Sequence, residues 1–238
     1  MKRWLKVLII VLAVLLILAA GFTVWQWNNI VAMYTAFTRD EQVISQQIEQ
    51  ANKQQEEKLS EYDITVKPID TGQTEALLSG EASPEDVKEA LGITAELEKE
   101  APPVKSEGKT EKNETVPQKP KVTTVSDLVN KCTAELYSIE VDLMAQLGVM
   151  KKEALSKWKA IPKDERRKDI LIQIGLDGLN RCYDLEDSAD KQVKDVLAKY
   201  RTPIKNLGGD TKILDQMWKQ YCDKKASKKA YYINKYIK

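Results

Sequence analysis

Histidine is absent from this 238-residue sequence, and cysteine is scarce and scattered. Without an imidazole there is no Ser-His-Asp or Cys-His nucleophile system, no histidine-ligated zinc, and no usual general base near neutral pH. The three cysteines, Cys132, Cys182 and Cys222, lie 50 and 40 residues apart, and no C-x-x-C pair exists. That excludes a cysteine zinc site and a thioredoxin-like redox motif. Also missing are a G-x-x-x-x-G-K-[ST] or G-x-G-x-x-G phosphate loop, an H-E-x-x-H helix and an EF-hand loop. Carboxylate groupings such as Glu140/Asp142 and Asp184/Glu186/Asp187 fall on the polar faces of expected helices, where carboxylates are solvated rather than opposed across a cleft. The expectation is a protein without enzymatic chemistry, cofactor or metal.

What is present begins with an apolar run. Val7–Val24, VLIIVLAVLLILAAGFTV, holds eighteen residues without a charge, with Trp4 before it and Trp25 and Trp27 after it. A run of this length spans a hydrocarbon core, and indoles favour both interfaces. Residues 1–6 then form a short N-terminal segment, and 7–27 a transmembrane signal anchor. Ala19-Ala20-Gly21 keeps a second reading open, a cleaved signal peptide and a secreted product. Lys2, Arg3 and Lys6 precede the run, whereas Arg39 is the one basic residue soon after it. The positive-inside rule places residues 1–6 in the cytoplasm and the rest of the chain outside.

The near-neutral total, 37 basic against 36 acidic residues, conceals segregation. Residues 28–120 hold 10 basic and 19 acidic residues, and residues 121–238 hold 24 and 17. Such asymmetry marks segments with different surroundings. Residues 28–61 carry helically spaced apolar positions at Ile30, Met33, Phe37, Ile44, Ile48 and Leu59, which predicts a helical stalk, with a short coiled-coil self-association or a single solvated helix as its two readings. Asp40/Glu41 interrupts that seam. Residues 62–99 form a small acidic region with two short helices, docked on the stalk or detached. The second has Ser83 as N-cap, Pro84 in the first turn and Gly92 past its end. Residues 100–124, with four prolines and few apolar side chains, read as a disordered linker. Asn113-Glu114-Thr115 fits the N-glycosylation pattern.

From residue 125 to 238 the spacing predicts an all-α domain, an antiparallel three-helix bundle with helices near 126–160, 163–206 and 210–237. Residues 128, 132, 136, 139, 143, 147, 150, 154, 158 and 161 make the first stripe, with Ser126 as N-cap. Leu171, Ile174, Gly178, Cys182, Leu185, Ala189, Val193, Val196 and Tyr200 make the second, and Pro203 is expected to kink or end its helix. Leu214, Met217, Cys222, Ala226, Ala230, Ile233 and Ile237 make the third. Folding the helices back sets Gly148 level with Gly175, as a close helix approach or a hinge. The same folding sets Cys222 level with Cys132. These two are the one feasible disulfide pair; the alternative is three reduced thiols packed as small apolar residues.

The closing KKASKKAYYINKYIK carries Lys224, Lys225, Lys228, Lys229, Lys235 and Lys238, the candidate contact surface for an anionic partner. Lysines near a helix C-terminus are also favoured by the dipole alone. With Glu75–Glu81 (EALLSGE) and the KKAYYxxKY-like tail formed by Lys228–Tyr232 with Lys235-Tyr236, the layout resembles bacterial single-pass membrane proteins to which no activity is attached. The resemblance implies one membrane span and an extracytoplasmic helical domain. The functional expectation is a membrane-anchored envelope protein presenting a binding or scaffolding domain to another envelope protein, an anionic wall polymer or lipid headgroups. The alternative reverses the topology, with a cytoplasmic basic domain on nucleic acid or the anionic inner leaflet; the charges flanking the span argue against it.

Overall fold

The computed structural model describes residues 34–94 and 123–237, and every regular element among them is helical. A helical turn at residues 34–38 is followed by α1 (Glu41–Leu59), a 3-10 turn at Ser60–Tyr62, α2 (Thr71–Ser79) and α3 (Pro84–Ala90). Three long helices follow: α4 (Val125–Ala160), α5 (Lys168–Asn206) and α6 (Lys212–Ile237). The apolar run Val7–Val24, Asn113 and nearly all of the expected linker lie outside the described residues. No helix among the described residues is long and apolar enough to cross a membrane.

Local chemistry sets the helix ends. Thr124, not Ser126, caps α4: its hydroxyl accepts from the Asp127 N–H at 3.1 Å while Asp127 accepts from the Thr124 N–H at 2.9 Å. This reciprocal capping box satisfies two otherwise orphaned donors. Asp70 and Gln73 form the same device at the start of α2, and Ser83 with Pro84 starts α3 as the sequence predicts. Gly80 closes α2 in the left-handed region at φ 69°, with its N–H on Leu77 O and the Glu81 N–H on Ala76 O. Pro203 does not end α5, which runs three residues further to Asn206.

The chain divides into two compact units, one of residues 56–218 and one of residues 1–55 with 219–238, so α1 and α6 each contribute to both. In the first unit α4 and α5 pack as an antiparallel hairpin. Three ion pairs fix its register, Lys157–Asp177, Glu153–Arg181 and Glu135–Lys199. Equal and opposite steps along the two helices lead from each pair to the next.

The acidic region does not float. It docks on α4. Val66, Ile69, Leu77, Val87, Leu91 and Ile93 bury one core with Ala134, Tyr137, Val141 and Met144. Each such aliphatic side chain contributes about 1.5–3 kcal/mol on burial. Polar contacts set the register: the Asn130 amide accepts from the Thr65 N–H at 3.0 Å, and Lys88 pairs with Asp142 at 2.9 Å. Residues 134, 137, 141, 144 and 148 are a second helical stripe on α4, so this helix is apolar on two faces and needs two partners.

Gly148 shows how close the docking is. A Cβ there would stand 2.5 Å from the Leu77 carbonyl oxygen and 3.1 Å from Leu78 Cα, whereas one on Gly175 would meet nothing within 4 Å. Close approach at Gly148 is therefore real, but its partner is the end of α2 and not the helix of Gly175.

In the second unit Ala36, Ile44, Ile48, Ala230 and Tyr231 form a small core. The stalk helix is not continuous. It breaks at Arg39 and Asp40, where the Asn234 amide donates to Ala36 O at 2.6 Å and Arg39 O at 2.8 Å. A side chain from α6 thereby satisfies carbonyls that the break leaves without a helical partner.

Candidate functional site

Of the six tail lysines, Lys224 and Lys228 are buried, each 7% exposed. Lys225, Lys229 and Lys235 are half-buried, and Lys238 lies outside the described residues. Lys235 stacks over the Tyr231 ring at 5.3 Å with its Nζ 3.3 Å from that phenol, and Lys225 lies 5.3 Å over Tyr221. Tyr231 and Tyr232 meet edge to face at 5.1 Å. None of the five described lysines is free of a partner within the chain. A buried ammonium is tolerated only when it is paired, so Lys224 and Lys228 belong to the packing of α6. The surface that the sequence offers as six open cations shrinks accordingly. The reason is a second buried row, Lys224, Lys228 and Tyr231, beside the Ala226 and Ala230 row.

All three cysteines are free thiols, so no Cys132–Cys222 bridge is formed. Cys132 is fully enclosed in the unit of residues 56–218, whereas Cys222 belongs to the other unit. Around Cys132 sits a polar cluster between α4 and α5. The Glu135 carboxylate accepts from Lys199 Nζ and from the Tyr200 hydroxyl, both at 2.6 Å, and Lys199 also lies 5.1 Å over the Tyr200 ring. Burial, and then the Glu135 charge, pushes the Cys132 thiol far above its ordinary range; burial and the Glu135 hydrogen bond do the same to Tyr200. Tyr137 moves the same way through burial. All three shifts lead away from neutrality and keep these groups protonated, the condition of packing groups rather than of activated nucleophiles. Among the described residues no group of three or more His, Cys, Asp or Glu side chains could hold a metal ion. Of the acidic pairs read from the sequence, Asp142 is engaged by Lys88, and Asp184 and Asp187 are exposed.

The surface that sequence spacing missed is the far half of the α4–α5 hairpin. From Val149 to Ser188 no side chain is buried. The arm is nevertheless well built. Besides the Lys157–Asp177 and Glu153–Arg181 pairs, Arg166 folds back on the end of α4, donating to Ile161 O at 3.0 Å and Lys159 O at 3.2 Å, with its guanidinium 5.5 Å over Trp158. That arrangement caps carbonyls at a helix C-terminus with a cation, where the dipole favours one. The arm exposes Val149, Leu155, Leu171, Ile172, Leu176, Leu179 and Tyr183. Four of these, Ile172, Leu176, Leu179 and Tyr183, follow a four-three-four spacing on the side of α5 that faces away from α4. The signal was available in the sequence as a second stripe beside Ile174, Gly178 and Leu185.

Single exposed apolar residues are ordinary, whereas these four lie in one row on a braced helix. No protein-family model, curated protein or solved structure matches this chain.

Proposed function

We propose that the chain is a non-enzymatic, membrane-anchored scaffold of the bacterial envelope, tethered by Val7–Val24 and presenting a helical binding module outside the cell. The observation that carries the binding role is the α4–α5 arm, which holds large apolar side chains in solvent on a hairpin braced by ion pairs. The tether rests on the uncharged run and on Lys2, Arg3 and Lys6 before it. Half-buried Lys225, Lys229 and Lys235 supply a secondary contact for wall polymer or lipid headgroups. The reversed orientation, with a basic tail on nucleic acid, loses two of its cations to burial.

Reporter fusions at residues 60 and 238 test the tether. Both are expected to be active only outside the cytoplasm, and cytoplasmic activity at residue 238 would reject it. The binding role is tested by cross-linking the full chain in membranes through residues placed along the arm. Recovery of no cross-linked protein or polymer from any arm position would reject the scaffold.

A further inference from the structure

Residues 34–39 and the end of α6 are held together within one unit, and chain length bounds their distance from the apolar run. The Asn234 amide donates to Ala36 O and Arg39 O, and Ala230 and Tyr231 share a core with Ala36, Ile44 and Ile48. Tyr34 stands seven residues past Trp27, the second indole after that run. Seven residues span at most about 25 Å fully extended, so a tether at Val7–Val24 keeps this joint close to the bilayer boundary. Apolar exposure in the unit is confined to the same end. Among its described residues the large hydrophobic side chains in solvent are Tyr34, Phe37 and Val43, with Tyr34 70% and Phe37 55% exposed. Tyr34 and Phe37 are three residues apart in one helical turn and share a face. Aromatic rings beside a span suit the membrane–water interface, where a ring buries its body and keeps a polar tip wet. The charges there are mixed, Arg39 and Lys235 against Asp40 and Glu41, so headgroup sign does not decide the contact.

We propose that the joint at residues 34–39 lies on the bilayer surface, with Tyr34 and Phe37 in the headgroup boundary, and that Asn234 fastens the C-terminal end of α6 there. The inference rests on the tether of the proposed function and adds to it a second membrane contact. The chain then returns, at the end of α6, to the lipid surface from which it departs after the span. Two hydrogen bonds from one amide hold that return in place, on carbonyls that the break at Arg39 and Asp40 leaves open. Lys235, lying over the Tyr231 ring, meets lipid headgroups in this arrangement rather than wall polymer.

Photo-cross-linking of the full chain in phosphatidylcholine vesicles carrying a fluorescent phosphatidylcholine tests this, after flotation has isolated the vesicle-bound chain. A benzophenone side chain at position 37 or 235 should form a lipid adduct. One at position 219, about 24 Å back along α6 at 1.5 Å per residue, should not. Tyr34→Asp with Phe37→Asp alters exposed residues, so flotation and helicity by circular dichroism should hold while the adduct at 235 falls about tenfold. A floating chain with no adduct at 37, or none at 235, overturns the proposal. So do equal yields at 219 and 235, which would lay α6 along the bilayer. So does an adduct at 235 indifferent to the double variant, which would leave the aromatic pair without a part in the contact. A chain that does not float rejects the tether and this contact with it; a chain that floats without these adducts rejects the contact alone.

Discussion

The two halves of the α4–α5 hairpin are built from the same pattern and end differently. Near its base, Cys132, Tyr137, Val141, Val193, Leu197 and Tyr200 are buried; beyond Gly148 and before Ala189, nothing is. Both halves have an apolar stripe where the helices face one another, and both have further apolar residues outside it. At the base the extra face of α4 receives residues 64–93. Towards the tip the extra face of α5 receives nothing from the described residues of its unit. A helix with one apolar face is completed by one neighbour, and a helix with two declares a second.

The sharpest way to break this comparison is to put the same charge on both second faces. Val141→Asp buries a carboxylate in the core shared by residues 64–93 and α4, and should destabilise that unit by about 3–5 kcal/mol, in the range reserved for unpaired buried charge. Leu176→Asp should change the stability of the monomer by no more than about 0.5 kcal/mol. Urea-dependent proteolysis of the full chain reads both. Equal effects would mean that the arm is packed within its own chain.

Alkali provides a second, graded test. The Cys132 thiol is raised well above its ordinary value of 9.0 by burial, then by Glu135. A raised pKa contributes stability that is complete below the unfolded value and is lost as pH climbs towards the folded one. Above pH 9.0 the unfolded chain releases a proton that the folded base keeps, so stability falls by about 1.4 kcal/mol per pH unit for this group. Tyr137, also raised by burial, adds its own slope above its ordinary 10.0. Urea unfolding between pH 9 and 11 should therefore weaken the base steeply, and Cys132→Ala should flatten the early part of the slope. An unchanged slope in that variant would move the thiol out of the core.

Local rules made much of this fold readable. Caps and turns are decided within a few residues, so spacing places the start of α4 to within one residue and composition marks the Ser83 cap of α3. Reading failed where a second neighbour matters. The one stripe that spacing shows on α4 starts at the buried Leu128 and Cys132 and continues through half-buried 136, 139, 143 and 147; a second buried side runs through 134, 137, 141, 144 and 148. Its partner lies more than forty residues back in the chain, across the stretch 95–122, where periodicity carries no information about contact. The tail failed in the same way. The row Lys224, Lys228 and Tyr231 has helical spacing, but lysine is read as solvent-facing by default, so a buried lysine row goes unrecognised.

The mildest probe uses the two glycines once expected to face one another. Gly148→Ala must move the backbone at Leu77 and Leu78, because the added carbon would lie 2.5 Å from a carbonyl oxygen. Overpacking of this kind costs about 1–3 kcal/mol, less about 1 kcal/mol regained from helix propensity. The net loss should appear as faster proteolysis within residues 64–93, with α5 still protected. Gly175→Ala meets no atom within 4 Å in its own chain, so it should stabilise α5 by up to about 1 kcal/mol. The two substitutions are chemically identical and differ only in whether a second neighbour is already in place. Opposite signs therefore measure that difference directly, whereas a loss at Gly175 would show that the outer side of α5 is covered after all.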